Sequence, residues 1–160
     1  MKRIHWHWTA GAPGVNPEES DSYNFVITWP DAKVVECVPV RLQKPPLVNG
    51  AYAAHTRGAN SNAIGISLDA MANAAERPFN PGKYPITEAQ LKAMVLLSKK
   101  LGLQYGIPIT RKTMLSHAEV EPTLGIWQRN KWDIMWIPGM DKPGNPIEVG
   151  DRIRAMVAAA

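Results

Sequence analysis

Alternation is the first regularity along the chain. In Ile4-His5-Trp6-His7-Trp8 apolar residues and histidines take turns with the period of a buried strand, which places His5 and His7 on one face and Trp6 and Trp8 on the other. Gly11-Ala12-Pro13-Gly14 ends the run, and Asn16-Pro17-Glu18-Glu19 predicts a short helical turn, with asparagine as cap and proline at the first position. Two β-rich stretches follow, Tyr23 to Trp29 and Lys33 to Val40. Pro30-Asp31-Ala32 between them predicts a turn and hence an antiparallel pair. Ala63-Ile64-Gly65-Ile66-Ser67-Leu68 predicts a further central strand, preceded by a polar loop from His55 to Asn62.

After Ile86 the period lengthens to that of a helix. Thr87-Glu88-Ala89-Gln90 has the form of a capping box, Leu91, Met94, Val95, Leu97 and Leu101 continue as an apolar stripe, and Gly102 or Gly106 provides the stop. The stripe predicts a core face. A last helix is expected from near Ile147 through Arg154, with Val149, Ile153, Met156 and Val157 on one side. Strands interleaved with a few helices predict an α/β fold, a mixed central sheet flanked by helices. The 14 prolines are dispersed and no repeat or linker tract divides the chain, so one domain is expected over residues 1–160.

Composition narrows the picture. A chain of 160 residues has room for a real core, since this size buries about 68–70% of its unfolded surface. The single cysteine, Cys37, excludes an internal disulfide; its place in Val34-Val35-Glu36-Cys37-Val38 predicts a buried structural thiol. No apolar segment approaches the ~20 residues of a membrane span. Lys2 and Arg3 lead into His5, Trp6, His7 and Thr9 rather than an unbroken apolar run, so a signal peptide is not expected and synthesis in the cytoplasm is. The net charge of +4 favours anionic partners. No nucleic-acid-binding motif accompanies it, so no nucleic acid is expected; an anionic cell-wall polymer fits the charge equally well, and charge alone does not choose.

The candidate chemistry lies in His7, in Ser116-His117-Ala118-Glu119-Val120 and in Asn130-Lys131-Trp132-Asp133. Two imidazoles and a carboxylate are an accepted zinc set, with a fourth position left for water. Spacing alone leaves open the plainer reading of four structural histidines, because His7 and His117 do not form a local metal motif.

Several segments, in order, resemble the zinc N-acetylmuramoyl-L-alanine amidases, the family of phage amidase-type lysozymes that is similar to peptidoglycan recognition proteins. His7-Trp8-Thr9-Ala10-Gly11 resembles the opening His-x-Ser/Thr-Ala element. Ser22-Tyr23-Asn24-Phe25 resembles the Gly-Tyr-His-Phe strand, and Ala54-His55-Thr56-Arg57-Gly58-Ala59-Asn60 with Ile64-Gly65-Ile66 the Ala-His-x-x-Gly-x-Asn…Ile-Gly-Ile segment. Ile86-Thr87-Glu88-Ala89-Gln90 is similar to the Thr-x-x-Gln helix start, His117-Ala118-Glu119-Val120 to the His-x-Glu/Asp-Val/Ile element, and Lys131-Trp132-Asp133 to Lys-x-Asp/Cys.

The resemblance implies zinc held by His7, His117 and Asp133, with His5 a rival to His7 on the same strand face. It implies hydrolysis of the amide between muramic acid and L-alanine in peptidoglycan, with Lys131 stabilising the oxyanion and Tyr23 orienting water or substrate. His55, Arg57 and Asn60 are then candidates for the groove rim, Arg57 meeting carboxylates of the peptide stem and Asn60 alternatively closing an Asx turn. Two departures stand out. The stretch Glu121 to Asn130 is longer than in the compact phage enzymes, and Ile134-Met135 replaces the usual Pro-Gly after the third ligand. Glu119 and Glu121 are therefore fallbacks for Asp133. The expectation is a monomeric endolysin acting on the wall after release, with a muropeptide-recycling amidase and a non-catalytic peptidoglycan-binding module as alternatives.

Overall fold

The computed structural model describes residues 1–160. Five strands form one mixed sheet: β1 (Arg3–Trp8), β2 (Phe25–Ile27), β3 (Val34–Glu36), β4 (Ala63–Leu68) and β5 (Met114–Ser116), in the order β3-β2-β4-β1-β5. β1 lies between β4 and β5 and is parallel to both, and β2 is parallel to β4; only the β2–β3 pair is antiparallel. The expected hairpin is present but short, because β2 ends at Ile27 and β3 at Glu36. Val38 and Pro39 lead instead into a 3-10 turn, Val40–Gln43, and Cys37 lies just past the strand, part-buried rather than enclosed.

Four helices complete the chain: α1 (Pro17–Ser22), α2 (Glu88–Tyr105), α3 (His117–Leu124) and α4 (Pro146–Ala159). Local chemistry accounts for their limits. Asn16 and Glu19 form a capping box on α1, Thr87 and Gln90 one on α2, and the Asn145 side chain accepts from the backbone N–H groups of Ile147 and Glu148 at the start of α4. Gly106, at φ 66°, is the stop of α2. Gly102 instead lies inside the helix, where a Cβ would stand 2.6 Å from Met114 Cε.

The alternation of β1 divides the molecule. Ile4, Trp6 and Trp8 join Ile64, Ile66 and Leu68 in the main core with Met94, Val95, Leu101, Ile153 and Val157 from α2 and α4. Trp6 Nε1–H donates to Ser98 Oγ at 2.9 Å, fixing α2 to that face. His5 and His7 point the other way, in register with Gly65 and Ser67 of β4. On that side only a satellite cluster of Ala59, Leu115 and Val120 packs the sheet, so the face stays open enough for a site.

Candidate active site

The open face holds a cleft of about 840 Å³ whose lining includes Tyr23, His55, Arg57, His117, Lys131 and Asp133. At its floor three side-chain atoms converge. His7 Nδ1 stands 3.2 Å from His117 Nδ1 and 3.1 Å from Asp133 Oδ2, and His117 Nδ1 is 3.2 Å from the same carboxylate oxygen. All three residues are buried.

Each comes from a different element. His7 is fixed by its place in the central strand. His117 opens α3, and that end of the helix is held from behind: Glu119 accepts the Ser116 N–H at 2.8 Å and an Arg154 N–H at 2.7 Å, while Arg154 also donates to the Met114 carbonyl at 2.8 Å. This buried pair takes Glu119 out of contention as a ligand. Glu121 is engaged as well, accepting the Gln128 N–H at 3.1 Å. Asp133 is pinned by its backbone, whose carbonyl accepts the Ala118 N–H at 2.6 Å. Its neighbour Trp132 packs edge-on against Trp8, ring centroids 4.6 Å apart. The segment is a loop and not an extended strand, yet Lys131 and Asp133 line the same cleft.

Hydrogen bonds behind the triad decide which nitrogens are free. The Gln128 amide donates to the carbonyls of Arg57 (2.8 Å) and Ile126 (3.2 Å), so its oxygen is left to accept His117 Nε2–H at 2.9 Å. His7 Nε2 lies 3.2 Å from His55 Nδ1 and 3.4 Å from Thr56 Oγ1, and His55 Nε2–H faces the Ala63 carbonyl at 3.3 Å. Neutral His7 and His117 with these partners carry their protons on Nε2. Their Nδ1 lone pairs then face each other and a carboxylate oxygen, an arrangement that calls for a cation. Donor atoms 2.0–2.1 Å from a common tetrahedral centre stand about 3.3–3.4 Å apart, near the separations found here, so the donor set suits zinc.

The charges agree. Burial lowers the His7 pKa to about 4 despite the neighbouring Asp133, which favours the neutral ring. At His117 burial pulls the same way, but Asp133 and the Gln128 hydrogen bond outweigh it and raise the value. Burial alone would raise Asp133; the two imidazoles hold it at about 2, so it is a carboxylate at neutral pH. Lys131, exposed at the cleft edge, adds positive potential that lowers both His7 and His117. Tyr23 lies against His7, ring centroids 5.4 Å apart, and burial pushes its phenol far above the usual range, so it stays a hydroxyl donor.

The remaining predicted residues separate. Arg57 is exposed on the rim. His55 is buried behind His7 rather than on the rim, seated where Gly65 has no side chain: a Cβ there would come within 2.5 Å of the His55 ring. Asn60 lines the cleft, and its Oδ1 accepts the Thr56 N–H at 2.8 Å, a bond back across four residues that ties the loop down without forming an Asx turn. His5 does not reach the triad; its Nδ1 meets Thr56 Oγ1 at 2.9 Å. Gln128 and Thr56, which brace the two imidazoles, were not singled out in the sequence, where a glutamine in a loop and a threonine in a polar stretch carry no periodic signal.

Comparison with known proteins bears on the fold and the family. Two solved structures from Clostridium intestinale share the fold, N-acetylmuramoyl-L-alanine amidase LysC and the endolysin N-acetylmuramoyl-L-alanine amidase LysCS. Each is 20% identical with TM-score 0.58 and covers 98% of this chain, which spans 85% of the first and 83% of the second. The N-acetylmuramyl-L-alanine amidase AmiD from E. coli, in complex with the substrate anhydro-N-acetylmuramic acid-L-Ala-D-gamma-Glu-L-Lys, is 18% identical with TM-score 0.51, over 74% of this chain and 48% of that one. Comparison with curated proteins finds no match. Residues 1–143 match the family described as N-acetylmuramoyl-L-alanine amidase, and the chain, an enzyme of that kind, belongs to this family.

Proposed function

We propose that the chain is one zinc amidase domain, residues 1–160, that hydrolyses the bond between muramic acid and L-alanine in peptidoglycan and acts as an endolysin. The observation that carries the metal reading is the convergence of His7 Nδ1, His117 Nδ1 and Asp133 Oδ2 to within 3.2 Å of one another, with the other ring nitrogens already engaged. Zinc bound there would polarise the lactyl carbonyl and acidify water. The chain's own residues supply the rest.

In the reaction the amide C–N bond breaks, the lactyl carbonyl carbon takes the water oxygen and becomes a carboxylate, and the two water protons end on the alanine nitrogen, which leaves as an ammonium group. The Lys131 ammonium faces the cleft without an ion-pair partner, so it is free to stabilise the charge that develops on the carbonyl oxygen. The Tyr23 hydroxyl, kept protonated by burial, orients water or substrate. Arg57 on the rim receives carboxylates of the stem, while His55 and Asn60 build the floor beneath it. Support for the endolysin role is the fold shared with LysCS across 98% of this chain. No helix is long and apolar enough to cross a membrane. We take the working form to be a monomer.

The test is to incubate the protein with intact sacculi and with soluble anhydromuropeptides, each with and without a chelator. The reading requires new alanine N-termini, no new reducing sugar ends, chelator sensitivity, and cleavage of intact sacculi. Cleavage of soluble fragments alone would favour a recycling enzyme, and binding without cleavage a recognition module.

A further inference from the structure

The stretch Glu121 to Asn130 carries an exposed aromatic clamp near its end. Trp127 is 59% exposed, and the guanidinium carbons of Arg57 and Arg129 each stand 5.9 Å from its ring centroid. Arg57 belongs to the loop before β4 and Arg129 to the loop after α3. The two loops are joined: Gln128 Nε2 donates to the Arg57 carbonyl at 2.8 Å, and Ile126 lies so close over Gly58 that a Cβ there would stand 3.2 Å from Ile126 Cγ2. Arg57, Arg129 and Lys131 all line the cleft and none pairs with an acid. Three unneutralised cations on one rim, two of them held on an aromatic ring, form a ready receptor for carboxylate.

The substrate's charge lies on one side of the scissile bond. N-acetylated sugars are neutral and the lactyl carboxyl is consumed in the amide, whereas the stem, L-Ala-D-gamma-Glu-L-Lys in the AmiD complex, carries a free α-carboxylate because glutamate is joined through its γ-carbon. That group sits two residues into the stem, a reach of about 7 Å in extended chain. On the protein one side chain, Gln128, spans from His117 of the triad to the Arg57 carbonyl, so the backbone that carries this arginine is one side chain from the triad, and Arg57, Arg129 and the triad residues His117 and Asp133 line one cleft.

Resting on the amidase reading above, we propose that Arg57 and Arg129, held on Trp127, form a subsite for the free α-carboxylate of D-glutamate, so that the stem runs toward this rim and unamidated stems are selected over those carrying D-isoglutamine. Amidation replaces the anion by a neutral group and leaves both guanidinium groups without a charged partner. The discrimination is then about tenfold, the low end for a charge-assisted contact at a partly exposed site. Trp127 matters because it preorganises the forks and reduces the side-chain ordering required on binding.

Two probes test this: muropeptides with glutamate or isoglutamine as substrates, and the corresponding free stem tripeptides, which contain no scissile muramoyl bond, as calorimetric ligands. The wild type should favour the acid about tenfold in kcat/KM and in tripeptide Kd. The Arg57→Gln/Arg129→Gln double variant should level both ratios while its zinc content stays unchanged. Trp127→Ala, which keeps both charges, should reduce the preference, whereas Lys100→Gln, a cation on α2, should leave it intact. Equal handling of acid and amide by the wild type overturns the subsite, as does a preference that survives the double variant. Tighter binding of poly(glycerol phosphate), with no distinction between the tripeptides, would reassign the rim to an anionic wall polymer. Failure to cleave either muropeptide would count against the amidase reading, while the tripeptide Kd values still decide the subsite.

Discussion

The two sides of the cleft are built on opposite terms. Behind His7, two further histidines, His5 and His55, and Thr56 lie buried and linked to it by contacts of 2.9–3.4 Å; around Arg57, Arg129 and Lys131 the side chains are exposed and have no acidic partner. Burial makes each missing partner costly, on the order of 1–3 kcal/mol, so the inner wall can hold an imidazole in one tautomer and one orientation. Charges in water are screened and individually weak, which suits them to attracting and sorting a ligand. Geometry is enforced on one side and recognition is tuned on the other. Gln128 connects them, with its amide oxygen on a triad histidine and its nitrogen on the rim backbone.

Lys131 is the sharpest place to break the comparison, because an exposed residue is there assigned a catalytic effect. Lys131→Ala should lower kcat and kcat/KM together by on the order of 10²-fold or more with zinc content unchanged, as expected for charge stabilised only in the transition state. A loss confined to KM would return Lys131 to the rim. The inner wall comes next. Thr56→Val removes one hydroxyl at nearly constant volume and should weaken zinc binding roughly 10–100-fold in chelator competition, with Thr56→Ser restoring it. If Thr56→Val binds zinc like the wild type, the buried network is packing only. Tyr23→Phe should slow turnover roughly tenfold, the value of one hydrogen bond, with fold and zinc intact; wild-type turnover would make Tyr23 a packing residue. The smallest effect is that of salt. Raising ionic strength should increase KM a few-fold, roughly what screening of exposed charges provides, while zinc affinity stays level. A zinc affinity as salt-sensitive as KM would mean that the inner wall is not shielded from water.

The contrast also explains what could be read from the chain. β1, β4 and the capped helices were legible because alternation and capping depend on residues a few positions apart. The convergence of His7, His117 and Asp133 was reachable only through the ordered family motifs, since the three lie on different elements. β5 and α3 escaped: three residues are too few to display a period, and Pro122 inside α3 reads as a break. The family resemblance puts His55 among the candidates for the rim. Its burial depends on the empty space over Gly65, a property of the neighbouring strand that the loop's own residues do not reveal.

The central claim is that His7, His117 and Asp133, and no other set, hold the metal. Metal analysis of the purified protein and four single variants tests it most directly. One equivalent of zinc is expected in the wild type and in His5→Phe, and none in His7→Ala, His117→Ala or Asp133→Ala, each checked for folding by circular dichroism. Stoichiometric zinc persisting in folded His7→Ala and lost in His5→Phe would contradict the assignment and move the ligand two residues along β1, and a folded wild type that takes up no zinc would remove the metal altogether.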